Sequence, residues 1–351
     1  MTRQGEGTGN LPRNCTFEAR DWQILARHWY PIALAREIGT APLAAQLLDE
    51  LLVIYRAGDQ IVVANDLCPH RGVPLSLGTG DGQSVICAYH GLRFGAGGRC
   101  HHVPAHPDMH IPAKLHLRTY PVVERYGLVW TRLRSGHGEG AAEPLVPEMP
   151  HWDDADFQQI NCPSIDIFGF AGRQVEGFLD VAHFGFVHTA TFGDPSNTVV
   201  PPYVPKFNAN GFEVEYWSTV SNYPIGAVDR SKPGFMWLRH FRTHLPFTAT
   251  LTIHFPNEAR LVIMNAASPV SAKVTRLFVP IVRNFDQELP VQDVYDFNRR
   301  VFEEDKAIVE AQKPECLPLD PNLEAHIPAD RSSIAYRRGL RDMGLSRLFI
   351  A

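Results

Sequence analysis

Short runs of apolar residues, broken by glycine and proline, dominate the first third of the chain. Leu51-Leu52-Val53-Ile54-Tyr55 and Ile61-Val62-Val63-Ala64 flank Ala57-Gly58-Asp59 and predict a β-hairpin. Before them, Trp22 to Ile38 carries mixed apolar spacing that suits a short helix followed by a strand at Trp29-Tyr30-Pro31-Ile32. Residues 66–104 are rich in Gly and Pro and read as loops, and 122–131 (VVERYGLVWT) reads as a second hairpin. Residues 1–20 have the texture of a loose leader, and 136–150 that of a linker.

A different texture follows. Residues 173–188 read as helical. From about 205 to 285, β-branched and aromatic runs such as Phe212-Glu213-Val214-Glu215-Tyr216-Trp217 predict one antiparallel sheet. Val291–Ala311 has the apolar period of an amphipathic helix, and 331–348 reads as a last helix. The pattern gives an α+β chain with a β-rich domain over 21–135 and a second domain over 151–351, where an antiparallel sheet is flanked by helices. No repeat or low-complexity tract is visible.

Composition narrows the classes. With 33 Lys+Arg against 38 Asp+Glu, the 351-residue chain has a formal charge of -5, which argues against a broadly basic nucleic-acid surface. Hydrophobic residues at 44% and charged residues at 20% are those of a globular protein rather than a disordered one. No apolar run approaches the ~18–20 residues of a membrane span, and the N-terminal residues lack an apolar signal core. A cytoplasmic setting is expected, in which the six cysteines suit metal binding or the core better than disulfides.

Two clusters carry chemistry. Cys68-Pro69-His70 and Cys87-Ala88-Tyr89-His90 each place one Cys and one His in a loop. Zinc fingers group like ligands, C-x-x-C with H-x-x-x-H. One thiolate and one imidazole per loop suit a two-iron cluster whose irons take two thiolates and two imidazoles respectively. In the second cluster, Asp180 and His183 are three apart, whereas His183 and His188, five apart, fall about 140° apart on an unbroken helix. Gly185 offers a place for a kink. Two histidines plus a distant carboxylate make the facial triad of non-haem iron sites. Asp305 in Glu303-Glu304-Asp305 is the first candidate, with Glu303 and Glu304 as alternatives.

Taken together, CPHRGVPLSLG (68–78), CAYHGLRF (87–94), YPVVERYGLVW (120–130), DVAHFGFVH (180–188) and EEDKAIVEAQ (303–312) resemble the Rieske non-haem iron oxygenases, in the branch of aromatic O- and N-demethylases and monooxygenases. The resemblance implies an N-terminal Rieske [2Fe-2S] domain and a helix-grip-like catalytic domain. It implies that Cys68, His70, Cys87 and His90 bind the cluster, that His183, His188 and Asp305 bind a mononuclear Fe(II), and that Asp180 bridges His183 to His90 of a neighbouring subunit in a trimer. It further implies a small aromatic or heterocyclic substrate, O2, and a separate flavin- or ferredoxin-type reductase, because no G-x-G-x-x-G follows a strand here. Many members carry Asn where this chain has Gly177, and the role of Glu176 is open. Ring cis-dihydroxylation, or electron transfer by a Rieske protein with a non-catalytic binding domain, are the competing functions. Of Phe235–His244, the strand period puts Arg239, Phe241 and Thr243 on one face and His240, Arg242 and His244 on the other; an exposed polar face is the simpler expectation, a cation for an anionic substrate the other. His101, His102, His106 and His110 are assigned no metal and are expected at a surface or subunit contact.

Overall fold

The computed structural model describes residues 11–135, 144–224, 230–320 and 322–346. Most of the expected linker therefore lies outside the described residues, as does the first half of the expected leader. The second half of that leader packs against the body: Phe17 is buried, and Thr16 donates from its amide and hydroxyl to Asp49. Helix α1 (Ala19–Leu25) follows, burying Trp22 and Leu25.

The N-terminal region is built of three small antiparallel sheets. One is formed by residues 43–47, 50–57, 60–65 and 119–120, a second by 79–80, 85–86, 93–94 and 100–102, and a third by 30–34, 122–125 and 128–131. The β texture begins with strand 43–47, although its sequence LAAQL is mostly half-buried and lacks β-branched residues. A separate small core of Val53, Tyr55, Leu75, Val85, Phe94 and their neighbours holds the first two sheets together, with Cys68 and Cys87 among its buried members.

The C-terminal region is one antiparallel sheet of nine strands. Its path runs 158–161, 280–283, 260–271, 248–254, 237–244, 211–218 and 206–208, and the pair 165–167 and 274–278 branches from 260–271. Strand 237–244 alternates strictly between buried and half-buried positions, as a strand must when one face is packed. Against this sheet lie α2 (Ala171–Leu179), the single turn α3 (Phe184–Val187), the long α4 (Val291–Ala311) and α5 (Arg331–Asp342). Helices therefore flank an antiparallel sheet, as the sequence predicts.

The stretch 173–188 is not one helix. α2 ends at Leu179, and Asp180 takes an extended conformation (φ -77°, ψ 141°). The break comes before His183 rather than at Gly185. Gly185 is instead required by packing, since a Cβ there would stand 2.9 Å from the carbonyl oxygen of Asp194. No helix among the described residues is long and apolar enough to cross a membrane.

Candidate metal centres

The two Cys-His loops share one backbone design. The amide of Gly72 donates to the Cys68 carbonyl, and that of Gly91 to the Cys87 carbonyl. The Cys68 amide reaches across its loop to Val73, and the Cys87 amide to Leu92. Both glycines have positive φ, +72° and +68°, which a side chain would oppose. A Cys followed four residues later by Gly is thus a tight turn that presents the thiol inward and the intervening His at its tip.

The two loop tips meet. The His70 and His90 rings have centroids 4.5 Å apart. Both thiols are buried, and burial pushes the Cys68 thiol up to about 11, with the Cys87 thiol beside it adding to the rise. The amides of His70 and Arg71 point at the Cys68 sulfur and favour its thiolate. Nδ1 of His70 is buried with no hydrogen-bond partner. A buried ring nitrogen with nothing to accept or donate is unusual, and a metal bond would complete it. These residues fit an iron–sulfur cluster.

The second centre is assembled from the break after α2, from α3 and from α4. Nε2 of His183 lies 3.0 Å from Nε2 of His188, and Asp305 Oδ1 stands 3.5 Å and 3.2 Å from the two. One ligand atom from each residue lies within 4.8 Å of the others. The 140° helical offset is resolved by the chain turning at 180–183, so both rings approach one point. On α4, Asn298, Phe302 and Val309 are buried, and Asp305 falls on the same stripe at i+7 from Asn298. That phase separates it from Glu303, which is exposed.

The far side of each ring is fixed by a carboxylate. Asp180 Oδ2 accepts from His183 Nδ1 at 2.8 Å and from the His183 amide at 3.1 Å. Glu304 Oε2 accepts from His188 Nδ1 at 2.8 Å and from the Thr191 hydroxyl at 2.7 Å. Glu304 is therefore an orienting group, not the third ligand. An ionised carboxylate only accepts, so each Nδ1 carries the proton and each Nε2 presents a lone pair. The two Nε2 atoms and the Asp305 carboxylate converge on one point, which is the donor set that would hold a cation. Burial pushes the Asp180 carboxyl up, but the His183 ring and the amides of Ala182 and His183 outweigh it and hold the group below the usual range. Burial works against the charged form of His188, yet Asp305 and Glu304 raise its pKa.

Glu176 is not a ligand. It lies between Arg173 (3.4 Å) and Arg337 (2.6 Å), and Glu324 bridges the same two arginines at 2.7 Å and 2.6 Å. This quartet, buried but for the half-buried Glu324, ties α2 to α5. Gly177 faces open space, since a Cβ there would meet only Val309 at 3.8 Å. Of the histidines set aside, His101 pairs with Ser84 at 2.8 Å. Arg239 is the residue the pattern undervalued. Its face of the sheet, with Phe241 and Thr243, is buried, and Arg239 lines the cavity beside His183 and Asp305.

Two family models match: the Rieske [2Fe-2S] domain over residues 28–121, and the vanillate O-demethylase oxygenase C-terminal domain over 172–345. Methylxanthine N1-demethylase NdmA of Pseudomonas putida is 32% identical over 92% of this chain and 90% of its own length. The chain belongs to the Rieske non-haem iron oxygenases. The solved structure of NdmA with caffeine superposes with a TM-score of 0.80 at 30% identity, covering 92% of this chain and 91% of that one. The oxygenase component of dicamba O-demethylase from Stenotrophomonas maltophilia is 46% identical, over 46% of this chain and 47% of its own. This Rieske oxygenase thus takes a [2Fe-2S] cluster and a mononuclear iron as its cofactors, and it is a terminal oxygenase of the demethylase and monooxygenase group.

Proposed function

We propose that this oxygenase hydroxylates or oxidatively demethylates a small aromatic or heterocyclic compound in the cytoplasm, drawing electrons from a separate flavin- or ferredoxin-type reductase. Residues 21–135 form its Rieske domain and 151–351 its catalytic domain. Cys68, His70, Cys87 and His90 hold the cluster, and His183, His188 and Asp305 hold the iron. When bound, the cluster would supply electrons one at a time and the iron would supply the chemistry of O2 reduction.

The observation that carries this reading is the convergence of His183 Nε2, His188 Nε2 and Asp305 Oδ1, each histidine backed by its own carboxylate. The chain's own groups then have distinct tasks. Asp180 and Glu304 keep the Nδ1 protons in place, so that neither Nε2 is protonated while a metal is held. Phe192 stacks on His188 at 4.7 Å and limits its rotation. Asp180 also borders a second hollow, of about 430 Å3, which shares His183 and Asp305 with the Arg239 cavity but is not lined by Arg239. A Rieske loop tip of a neighbouring subunit seats there, with His90 donating to Asp180, and head-to-tail repetition closes a homotrimer.

The test is Asp180→Asn. The variant is expected to keep its full iron, about three per chain from the cluster and the single site, and its Rieske electron paramagnetic resonance signal. Single-turnover oxidation of the cluster in the presence of substrate and O2 should slow at least a hundredfold. A wild-type preparation holding two irons per chain would instead favour an electron carrier, and normal coupled turnover by the variant would remove the bridge.

A further inference from the structure

The two Cys-His loops are alike at their tips and differ at their necks. The second leaves and returns through a strand ladder, with Val85 opposite Phe94 and Ile86 opposite Arg93. The first leaves strand 60–65 and returns through the single turn 75–77, and no strand ladder joins the two. A side chain takes the ladder's place. Asp66 Oδ1 accepts from the Ser76 amide at 2.7 Å, and Oδ2 accepts from the Ser76 hydroxyl at 2.5 Å. The Asp66 amide is itself anchored on the Leu51 carbonyl at 2.9 Å. One carboxylate therefore closes the segment that carries Cys68 and His70. The remaining bonds across this loop, from the Cys68 amide to Val73 and from the Gly72 amide to Cys68, lie nearer the tip.

The charge of this clasp is a second observation. Asp66 is buried, and both of its donors belong to the neutral Ser76. No Lys, Arg or His pairs with it among the described residues. Asp81, near the neck of the second loop, is exposed and pairs with Arg93 at 3.0 Å. A buried anion without a counter-cation is costly, and a neutral Asn would offer the Ser76 amide a carbonyl oxygen of the same shape. What Asp66 adds over Asn is the negative charge. Cys68 follows two residues later, a Cα separation of at most about 7 Å. Net charge near an iron–sulfur cluster is one of the factors that set its potential. Reduction adds one negative charge, and a fixed anion opposes it. At an effective dielectric of about 20 and a distance on the order of 10 Å, the opposition amounts to roughly a factor of ten. Arg71, the nearest cation along the loop, is exposed and screened by water.

Resting on the reading of Cys68, His70, Cys87 and His90 as the cluster ligands, we propose that Asp66 is a positioning residue with two tasks. Its oxygens clasp the neck of the first loop and so hold Cys68 and His70 in register with the second. Its charge keeps the reduction potential low, so that an electron taken up from the reductase is held loosely and passed on readily. Ser76 serves the first task alone.

The test is a spectroelectrochemical titration of the holoenzyme that follows the Rieske absorbance, paired with the rate of iron release from the cluster to a chelator. Asp66→Asn keeps the shape and an acceptor for the Ser76 amide but removes the charge. Its ratio of reduced to oxidised cluster at a fixed potential should rise about tenfold, a midpoint shift of about +59 mV, with release within threefold of wild type. Ser76→Ala keeps the charge and removes one bond of the clasp. Its midpoint should stay at or below that of wild type, while release quickens at least threefold. The proposal is overturned if Asp66→Asn raises the ratio less than twofold, if Ser76→Ala raises the midpoint, or if Ser76→Ala releases iron at the wild-type rate. Where Asp66→Asn does not hold its cluster, the two Ser76→Ala readouts decide. The wild-type spectrum keeps the two readings apart. A Rieske paramagnetic resonance signal with a midpoint that Asp66→Asn leaves unmoved overturns the role of Asp66 alone, whereas a wild type without that signal overturns the cluster ligands on which it rests.

Discussion

At the scale of single residues, the catalytic centre is set by which carboxylate does which task. Glu303, Glu304 and Asp305 are consecutive, yet they point to solvent, to His188 Nδ1 and to the ligand cluster respectively. A helix turns about 100° per residue, so three adjacent acids cannot share a role. Removing the acceptor behind a metal-bound imidazole costs roughly 10–100-fold in metal affinity. Glu304→Ala is therefore expected to lose the mononuclear iron 10–100-fold more readily, in competition with a chelator, with the Rieske absorbance unchanged; Glu303→Ala should behave as wild type. Equal iron retention in both variants would show that Thr191 alone can hold His188. Spacing and residue type singled out His183 and His188 in the sequence, and left Asp305 as the first choice among three consecutive acids that could join them. The Glu304 task was not legible, since a charge-rich stretch does not reveal its phase until Asn298, Phe302 and Val309 are known to face inward. Arg239 was half legible: strand alternation grouped it with Phe241 and Thr243, but which face is buried depends on the neighbouring strands.

At the scale of elements, α2 is nearly all buried, although its sequence AGRQVEGFL contains two charged residues. The quartet with Glu324 and Arg337 makes this possible. Apolar periodicity could not forecast it, because its partners lie far away at 324 and 337. Removing one member of a buried, hydrogen-bonded pair typically costs about 3–5 kcal/mol. Glu176→Leu leaves two buried arginines with one carboxylate, and its urea midpoint should fall accordingly. The double variant Glu176→Leu with Arg337→Met should recover much of the loss, since no charge is then orphaned. Acid should act on the same joint. Burial raises the Glu324 pKa, but hydrogen bonds from Arg173 and Arg337 prevail and hold it below the ordinary 4.5. A lowered folded pKa contributes stability that is complete above pH 4.5 and is lost as pH falls through the lower folded value. Glu324→Gln should thus destabilise at neutral pH and flatten the acid side of the stability profile, read by thermal melts from about pH 6 to 3.

At the scale of the whole molecule, the question is how an electron leaves the Rieske loops. Leu77, in the turn that follows the first Cys-His loop, is 70% exposed, and Tyr89 in the second loop is 62% exposed, with its ring against His90 at 3.8 Å. Single exposed apolar residues are ordinary, but these two, in and next to the Cys-His loops, are what an intersubunit contact there would cover. On the catalytic domain, the hollow beside Asp180 contains Phe178, Val187 and Ile308 along with its charged groups, so it offers apolar surface next to an accepting carboxylate. The two surfaces complement one another in the trimer proposed above. A charge placed at the tip must be desolvated when the contact forms, and an unpaired buried charge is far costlier than the contact it replaces. Leu77→Asp is therefore expected to shift the assembly from trimer toward monomer, measured by light scattering over a dilution series, with cluster absorbance and iron content preserved. Coupled turnover should fall in proportion to the trimer lost and return at high protein concentration, because mass action restores the contact. A variant that stays trimeric with full turnover would place the intersubunit contact elsewhere on the Rieske domain. A variant that is monomeric yet fully active would show that the cluster serves the iron of its own chain.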